Sequence, residues 1–483
     1  MFDADAFWIP DKEAAMMDPQ QRLVMELVAE TFVQCPGLRL KDCGVFVGCS
    51  AQDYLKLSLG LTGITAYTGT GTSSSVISGR ISFTFGLTGP AMTIDTACSS
   101  SLVGMHMAFN CMEMSQCEMV SSSGANVILH PTTLATLQKA GMLTHDGRCK
   151  TLSSAADGYV RAEAIGSFLM SAQEVRSSDC LAFLCGSFVN QDGRSSALTA
   201  PNGPAQGNAI RSAMQVASLQ FEDMTSIQMH GTGTALGDPI EIGAVNAVLM
   251  GPTRSQALTL MASKSWMGHS EPAAGLAGMA HAQSSTGANM ALSILHLNHL
   301  NPYVTAAMDA NRDAFFLPRQ AAGVTSSVIG TSAFAFQGTN AHVIMASTDR
   351  VSTHLVPKSV GDVRGLPLRR EHLWLTSSVF RFLQRSSIRK KSISLSCPMD
   401  SPQLSYISDH QVNGKTIFPG AGYFEMATSA LRLVTGETDA VALLDGSIPA
   451  AFVMDPPASY RGSEIIISIS KVDSLLEIGS AHG

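Results

Sequence analysis

The sequence predicts an α/β fold for its first 348 residues. Short apolar, β-rich runs alternate there with longer helical stretches, and the turns between them are rich in glycine, of which the chain holds 42. The balance of 45% hydrophobic against 14% charged residues over 483 positions supplies a large interior and excludes a disordered chain.

The elements follow in order. A helix is expected over Asp18–Thr31, where Asp18 is a good N-cap and Pro19 suits the first turn. Strands are expected at Gly44–Cys49, Ala91–Ile94, Met119–Leu129, Ser226–Met229, Leu258–Ala262 and Val324–Ser332. Leu102–Met114 has the length and Met, Leu and Ala content of a buried helix. From Asp349 to about Asp400 the texture changes to a basic stretch with scattered Pro, Ser and Gly, including Arg369, Arg370, Lys390 and Lys391. Such a run either binds an acidic partner or forms a solvated linker, and we read it as a linker over 349–400. An apolar, ordered texture returns over 401–483 and includes a strand-like run at Glu464–Ile469, so a second domain begins there.

A net charge of −7 gives no reason to expect nucleic acid as a partner. No stretch approaches the length of a membrane span, and the acidic start is not a signal peptide. Ten cysteines without a CxxC pair point to a reducing compartment, hence a cytoplasmic location with an organelle as the other option. No HExxH string or comparable cluster calls for a metal.

Chemistry concentrates around Cys98 in DTACSSS. It lies between a strand and a helix, where helix N–H groups converge and a thiolate is favoured over a thiol. A lone cysteine there has a second reading as a buried structural residue. Three further strings favour a site. HGTGTALGDPIE places His230 after one strand, KSWMGHSEPAAG places Lys264 and His269 after another, and GTSAFAFQGTNAH offers turn amides for an oxyanion hole with Phe334 and Phe336 as pocket walls.

These strings, with MDPQQR at 17–22, GRISFTFGLTGPAMTIDTACSSSL at 79–102, AGMLTHDGRCKT at 140–151, DGYVRAE at 157–163, NQDGR at 190–194 and LTAPNGP at 198–204, closely resemble the β-ketoacyl synthase (ketosynthase) domain of modular polyketide synthases and animal-type fatty acid synthases. The resemblance implies a thiolase-like five-layer αβαβα sandwich, usually a homodimer. It implies Cys98 as the acyl-accepting nucleophile, His230 and His269 as the catalytic pair, and Lys264 as the organising lysine. Glu271 falls on a supporting acidic position, and the amides of Cys98 and Phe336 form the oxyanion hole, with Phe336 also gating. The implied reaction is a decarboxylative Claisen condensation. An acyl-Cys enzyme joins a malonyl-type extender carried on the phosphopantetheine of an acyl carrier protein, with no bound metal or redox cofactor.

Several positions depart from the family pattern. Trp266 stands where a small polar residue is usual, Pro272 replaces a small residue, and Gln337, Ala162 and Ala164 stand at glycine positions. Where glycine supplied a positive φ, such replacements are expected to be strained and to reshape the pocket. The chain also starts at the FDADAFW-like string, without the strand, helix and loop that open the family's domain, so an N-terminally truncated domain is expected. Beyond the linker, DHQVNGKTIFPGAGYFEMA has the HxxxGxxxxP spacing of the family's dehydratase domain, which implies a partial hotdog (α+β) domain with His410 as its base. The partner aspartate is not visible, so this portion is expected not to dehydrate by itself. No acyltransferase separates the two domains, which implies loading of the extender by a separate one or by one elsewhere in the polypeptide. The alternative to a condensing enzyme is a silent, non-elongating ketosynthase that holds acyl chains or serves as a structural module.

Overall fold

The computed structural model describes residues 2–35, 40–50, 53–61, 64–172, 180–324 and 327–347, and then short stretches between 385 and 482. The chain divides into two units, Phe2–Leu368 and Arg369–Gly483.

In the first unit, β1 (Gly44–Cys49), β2 (Ala91–Ile94), β3 (Met119–Asn126) and β4 (Ala164–Ser171) form one sheet in the order β2-β1-β3-β4. A second sheet runs β5-β12-β11-β6-β7-β9, from β5 (Ala182–Gln191), β6 (Ser226–Gln228), β7 (Leu258–Met261), β9 (Phe315–Phe316), β11 (Val328–Phe334) and β12 (Thr339–Ser347). Between these in sequence, β8 (Met290–Ala291) and β10 (Ala322–Gly323) pair as a small antiparallel ribbon. The sheets repeat one topology. β1 lies parallel to β2 and β3, with β4 antiparallel beyond β3; β6 lies parallel to β7 and β11, with β12 antiparallel beyond β11. Two similar halves are therefore present in strand order, although no repeat is legible in the residues.

Helices complete the layers. Among them are α1 (Asp11–Ala14), α2 (Pro19–Gln34), α3 (Asp53–Leu61), α4 (Thr68–Thr72), α5 (Ser74–Phe85), α6 (Ser100–Glu113) and α7 (Pro131–Lys139). The second half adds α8 (Gly203–Val216), α9 (Gly237–Leu249), α10 (Lys264–Met267), α11 (Ala274–Gly287) and α12 (Pro302–Met308). α2 and α5 cover the outer face of the first sheet, α6 and α11 lie between the sheets, and α8 covers the second sheet with α9 packed on it. That is the five-layer αβαβα order expected. α6 and α11 meet both sheets through Leu102, Met105, Leu276 and Met279, all buried against Ile329 and Val343. Full burial of such side chains is worth about 1.5–3 kcal/mol each. Gly48 lets β1 approach α6: a Cβ there would lie 2.5 Å from the Ser101 backbone nitrogen.

The expected elements are present, β1 and β2 with the expected bounds and others with shifted ends. Asp18 caps α2 by accepting the Gln20 amide at 2.8 Å, and the helix runs three residues past Thr31. β11 starts at Val328 because Thr225 Oγ1 accepts the amides of Ser327 and Val328 just before it.

The second unit holds an antiparallel sheet of β13 (Arg385–Ile388), β14 (Ser392–Pro398), β18 (Ser463–Ser470) and β19 (Leu476–His482) in that order. A smaller sheet joins β15 (Gln411–Val412), β16 (Lys415–Ile417) and β17 (Val453–Met454). β13 and β14 fall inside the stretch assigned to the linker. The alternation Ser-Ile-Ser-Leu-Ser at 392–396 is a period-two strand pattern, overlooked beside the neighbouring cluster of basic residues.

Candidate active site

Cys98 sits on a 3-10 turn, Ala97–Ser99, between β2 and α6. Ala97 is held at φ 53°, in the left-handed region, which makes the chain reverse sharply just before the sulfur. Burial pushes the Cys98 thiol up to about 12, and Glu271 adds to this, outweighing Lys264 and the amides of Phe336 and Cys98 at the sulfur. Burial thus opposes the thiolate that the helix start favours.

His230 follows β6 and is fixed from both sides. Its amide donates to Glu241 Oε1 at 2.7 Å, that of Gly231 donates to Oε2 at 2.8 Å, and the Phe334 amide donates to His230 Nδ1 at 3.3 Å. His269 is fully buried after Gly268, which takes φ 77°. Its Nδ1 accepts the amide of Glu271 at 3.3 Å, and its Nε2 has no partner among the described residues. An Nδ1 that accepts an N–H leaves the proton of a neutral imidazole on Nε2. Burial, then Lys264, hold both histidines well below the usual range; His269 lowers His230 further and Arg161 lowers His269 further, so both are neutral. The two rings meet edge-on, 5.5 Å between centroids.

Lys264 is buried at the start of α10, its pKa lowered by burial against the pull of Glu241, Cys98, Cys149 and Asp238. Two of these, the buried carboxyls Asp238 and Glu241, were given no role by sequence reasoning. Asp238 accepts the amides of Leu152 and Gly233, and Glu241 those of His230 and Gly231. Burial raises them to about 6 and about 7. The signal was two acids eight and eleven residues after His230 in a string already singled out. Arg161, also overlooked, forks onto Glu271 at 2.7 and 2.8 Å.

The structure thus brings Cys98, His230, His269, Phe334 and Phe336 to one cavity of about 270 Å³, which Tyr159, Thr232 and Thr234 also line. Asp238 and Glu241 line it too, while Lys264 and Glu271 act on Cys98 electrostatically without lining it. Among the described residues no group of three His, Cys, Asp or Glu side chains is placed to hold a metal ion. No helix among them is long and apolar enough to cross a membrane.

The family model described as "Beta-ketoacyl synthase, N-terminal domain" matches residues 1–175, and that of the C-terminal domain matches 181–297. The chain belongs to the β-ketoacyl synthase family. A third model, "Polyketide synthase dehydratase domain", matches 384–463, the stretch that opens with β13. Erythronolide synthase EryA2 of Saccharopolyspora erythraea is 40% identical over 355 residues, which are 71% of this chain and 10% of that protein. Polyketide synthase GfsB of Streptomyces halstedii is 39% identical over 384 residues, 75% of this chain and 7% of that one. The chain therefore spans a tenth or less of the length of these two relatives. Among solved structures, the oxazolomycin ketosynthase domain OzmH KS7 of Streptomyces albus JA3453 superimposes with a TM-score of 0.65 at 32% identity, covering 72% of this chain and 62% of that one. The ketosynthase of module 6 of the Bacillus subtilis 168 bacillaene synthase gives 0.65 at 29% identity, with the same coverage of each chain.

The ketosynthase fold absorbs the five departures without the expected strain. None of Ala162, Ala164, Trp266, Pro272 and Gln337 has a positive φ. In the 336–338 turn the left-handed residue is Gly338, at φ 97°. Pro272 sits in the first turn of the short helix Glu271–Ala273, where no amide is lost. Trp266 is half exposed and donates its indole N–H to Ser293 O at 2.7 Å. In the dehydratase unit, His410 lies outside the described residues.

Proposed function

We propose that residues 1–348 form a condensing ketosynthase domain that joins an acyl group on Cys98 to a malonyl-type extender, followed by a linker and the start of a dehydratase domain. The observation that carries this reading is the shared state of His230 and His269: each Nδ1 accepts a backbone amide, so each presents a neutral Nε2–H.

In the first step an acyl thioester of phosphopantetheine exchanges onto Cys98. The Cys98 Sγ–C bond forms, the pantetheine C–S bond breaks, and the proton lost by Cys98 ends on the departing thiol. The oxyanion formed on the way lies against the amides of Cys98 and Phe336.

A malonyl thioester then takes the place of the departed thiol. Its bond to the carboxylate carbon breaks, CO2 leaves, and the electron pair moves to the thioester oxygen as an enolate. Two Nε2–H donors stabilise that oxygen by hydrogen bonding, and burial keeps both rings neutral. The enolate carbon attacks the acyl-Cys98 carbonyl, the C–S bond breaks, and a β-ketoacyl thioester leaves with Cys98 as thiolate. Lys264, coupled electrostatically to Cys98, stabilises that leaving thiolate.

The implied partners are an acyl carrier protein, a separate acyltransferase that loads the extender, and a second copy of the chain. The outer edge of β2 has no strand beside it among the described residues, and Phe83 and Met92 are exposed next to it, which supports the dimer. The reading is tested by intact-protein mass spectrometry after incubation with short acyl-pantetheine thioesters. An acyl mass gain on the wild type that Cys98→Ala loses is the expected result; a gain that persists in Cys98→Ala overturns it.

A further inference from the structure

Gln337 occupies the turn between β11 and β12, directly after Phe336, and its side chain is bonded at both ends. Oε1 accepts the amide of Thr339 at 2.9 Å and its hydroxyl at 3.0 Å. These bonds fix the amide orientation, so Nε2 faces the other way and donates to Thr96 O at 3.3 Å. Thr96 immediately precedes the 3-10 turn that carries Cys98. The side chain therefore ties the second sheet's turn to the first sheet's nucleophile turn. On its far side the turn is held by Gln191 Nε2, which donates to Gln337 O at 3.2 Å, and by the Asp192 amide on Gly338 O at 2.9 Å.

The residue next to the tie matters most. Phe336 is half exposed, yet its backbone N–H points at the Cys98 sulfur. The turn closes on itself through the Gly338 amide on Ala335 O at 2.8 Å and the Ala335 amide on Thr339 O at 2.9 Å, but neither bond reaches the Cys98 turn. The glycine expected from the resemblance at 337 would add no tether at all.

We propose that Gln337 is a positioning residue for acyl transfer: it latches the Phe336 turn to Thr96 and so keeps the Phe336 N–H aimed at the oxyanion formed on Cys98. The inference rests on the acyl-transfer reading given above. It assigns to a residue of this chain the fixing of one of the two oxyanion donors. Loss of a whole oxyanion-hole donor costs about 10²–10³ in kcat. Loosening one donor without deleting it is expected to cost about tenfold.

The test uses the full chain with Gln337→Met, which keeps length and removes all the side-chain hydrogen bonds without adding charge, and Gln337→Gly, which removes the arm. Hydrogen–deuterium exchange of the peptide spanning 335–339 is read with the rate of Cys98 acylation. The expected result is at least tenfold faster exchange in that peptide for both variants. Acylation kcat falls about tenfold, KM stays within twofold and the thermal midpoint is unchanged. Unaltered exchange overturns the latch; faster exchange with a wild-type acylation rate, or a loss confined to KM, overturns the positioning role. If one variant fails to fold, the other decides. A wild type that never forms the Cys98 adduct would sink the acyl-transfer reading and the positioning role with it, while exchange would still report on the tie itself.

Discussion

Arg161 and Glu271 form a forked ion pair behind His269, with Nε–Oε1 at 2.7 Å and both side chains largely buried. Glu271 is held at φ 46°, and its amide is the donor that sets the His269 tautomer. The pair thus fastens a strained residue whose backbone does the positioning. Arg161→Met leaves a carboxylate buried without its partner, and breaking such a pair costs about 3–5 kcal/mol. Urea denaturation of the two proteins at pH 7 checks the value.

The histidines and the cysteine serve different steps, so their variants separate. His230→Ala and His269→Ala are each expected to lower CO2 release from a malonyl thioester by about 10²–10³-fold, the effect of one lost donor. Cys98→Ala loses the acyl adduct and keeps CO2 release within a few-fold. Radiolabelled CO2 release and intact mass, measured on the same three proteins, check the division.

Burial governs the response to acid. His342 is fully buried, donates to or accepts from Ser332 Oγ at 3.0 Å, and is lowered by burial to about 3. Below the ordinary value of about 6.5 the unfolded chain takes up a proton that the folded chain refuses. The stability due to neutral His342 is therefore complete above about pH 6.5 and is lost as pH falls from there towards 3, at about 1.4 kcal/mol per pH unit. The stability advantage over His342→Asn should shrink by about 2 kcal/mol between pH 6.5 and 5. Denaturation curves of both proteins at the two values check it. By the same sign, the neutral His230 and His269 predict a CO2-release rate that does not fall between pH 8 and 6.5.

Contact between β1 and α6 sets the depth of the nucleophile. A Cβ at Gly48 would meet Ser101 backbone at 2.5 Å, and backbone cannot rotate away. Gly48→Ala is expected to cost about 1–3 kcal/mol, the usual penalty of overpacking, and to slow Cys98 acylation. Thermal melting beside the acylation assay checks both.

The proposed dimer rests on the exposed apolar residues beside β2. Phe83 is 89% exposed, an unusual place for so large an apolar ring on a free surface. Phe83→Asp is expected to turn a dimer into a monomer. Light scattering at several concentrations is the check, and a wild type that is monomeric at all of them removes this part of the reading.

Much of this was legible in the residues because it depends on local rules. The cap at Asp18 and Pro19, the length and Met, Leu and Ala content of α6, and the apolar runs of β1 and β7 each need only neighbours along the chain, and they appear where expected. Cys98, His230, Lys264 and His269 stood out because each follows a strand end in a string of small residues. The second unit's first strands escaped because Ser and Arg density hid their alternation.

What the sequence by itself determined is the family, the alternation of elements and the identity of the reacting side chains. Tertiary structure alone decided their states. Burial, then Glu271, push the Cys98 pKa up, an effect that no residue spacing encodes. The imidazole protons lie on Nε2 because amides of Phe334, 104 residues away, and Glu271 occupy the other nitrogens. Gln337 reads as a misplaced polar residue along the chain and becomes a tie only when the fold brings Thr96 to it, 241 residues away. Protonation and orientation depend on which groups converge in space, and convergence is a property of the packed halves.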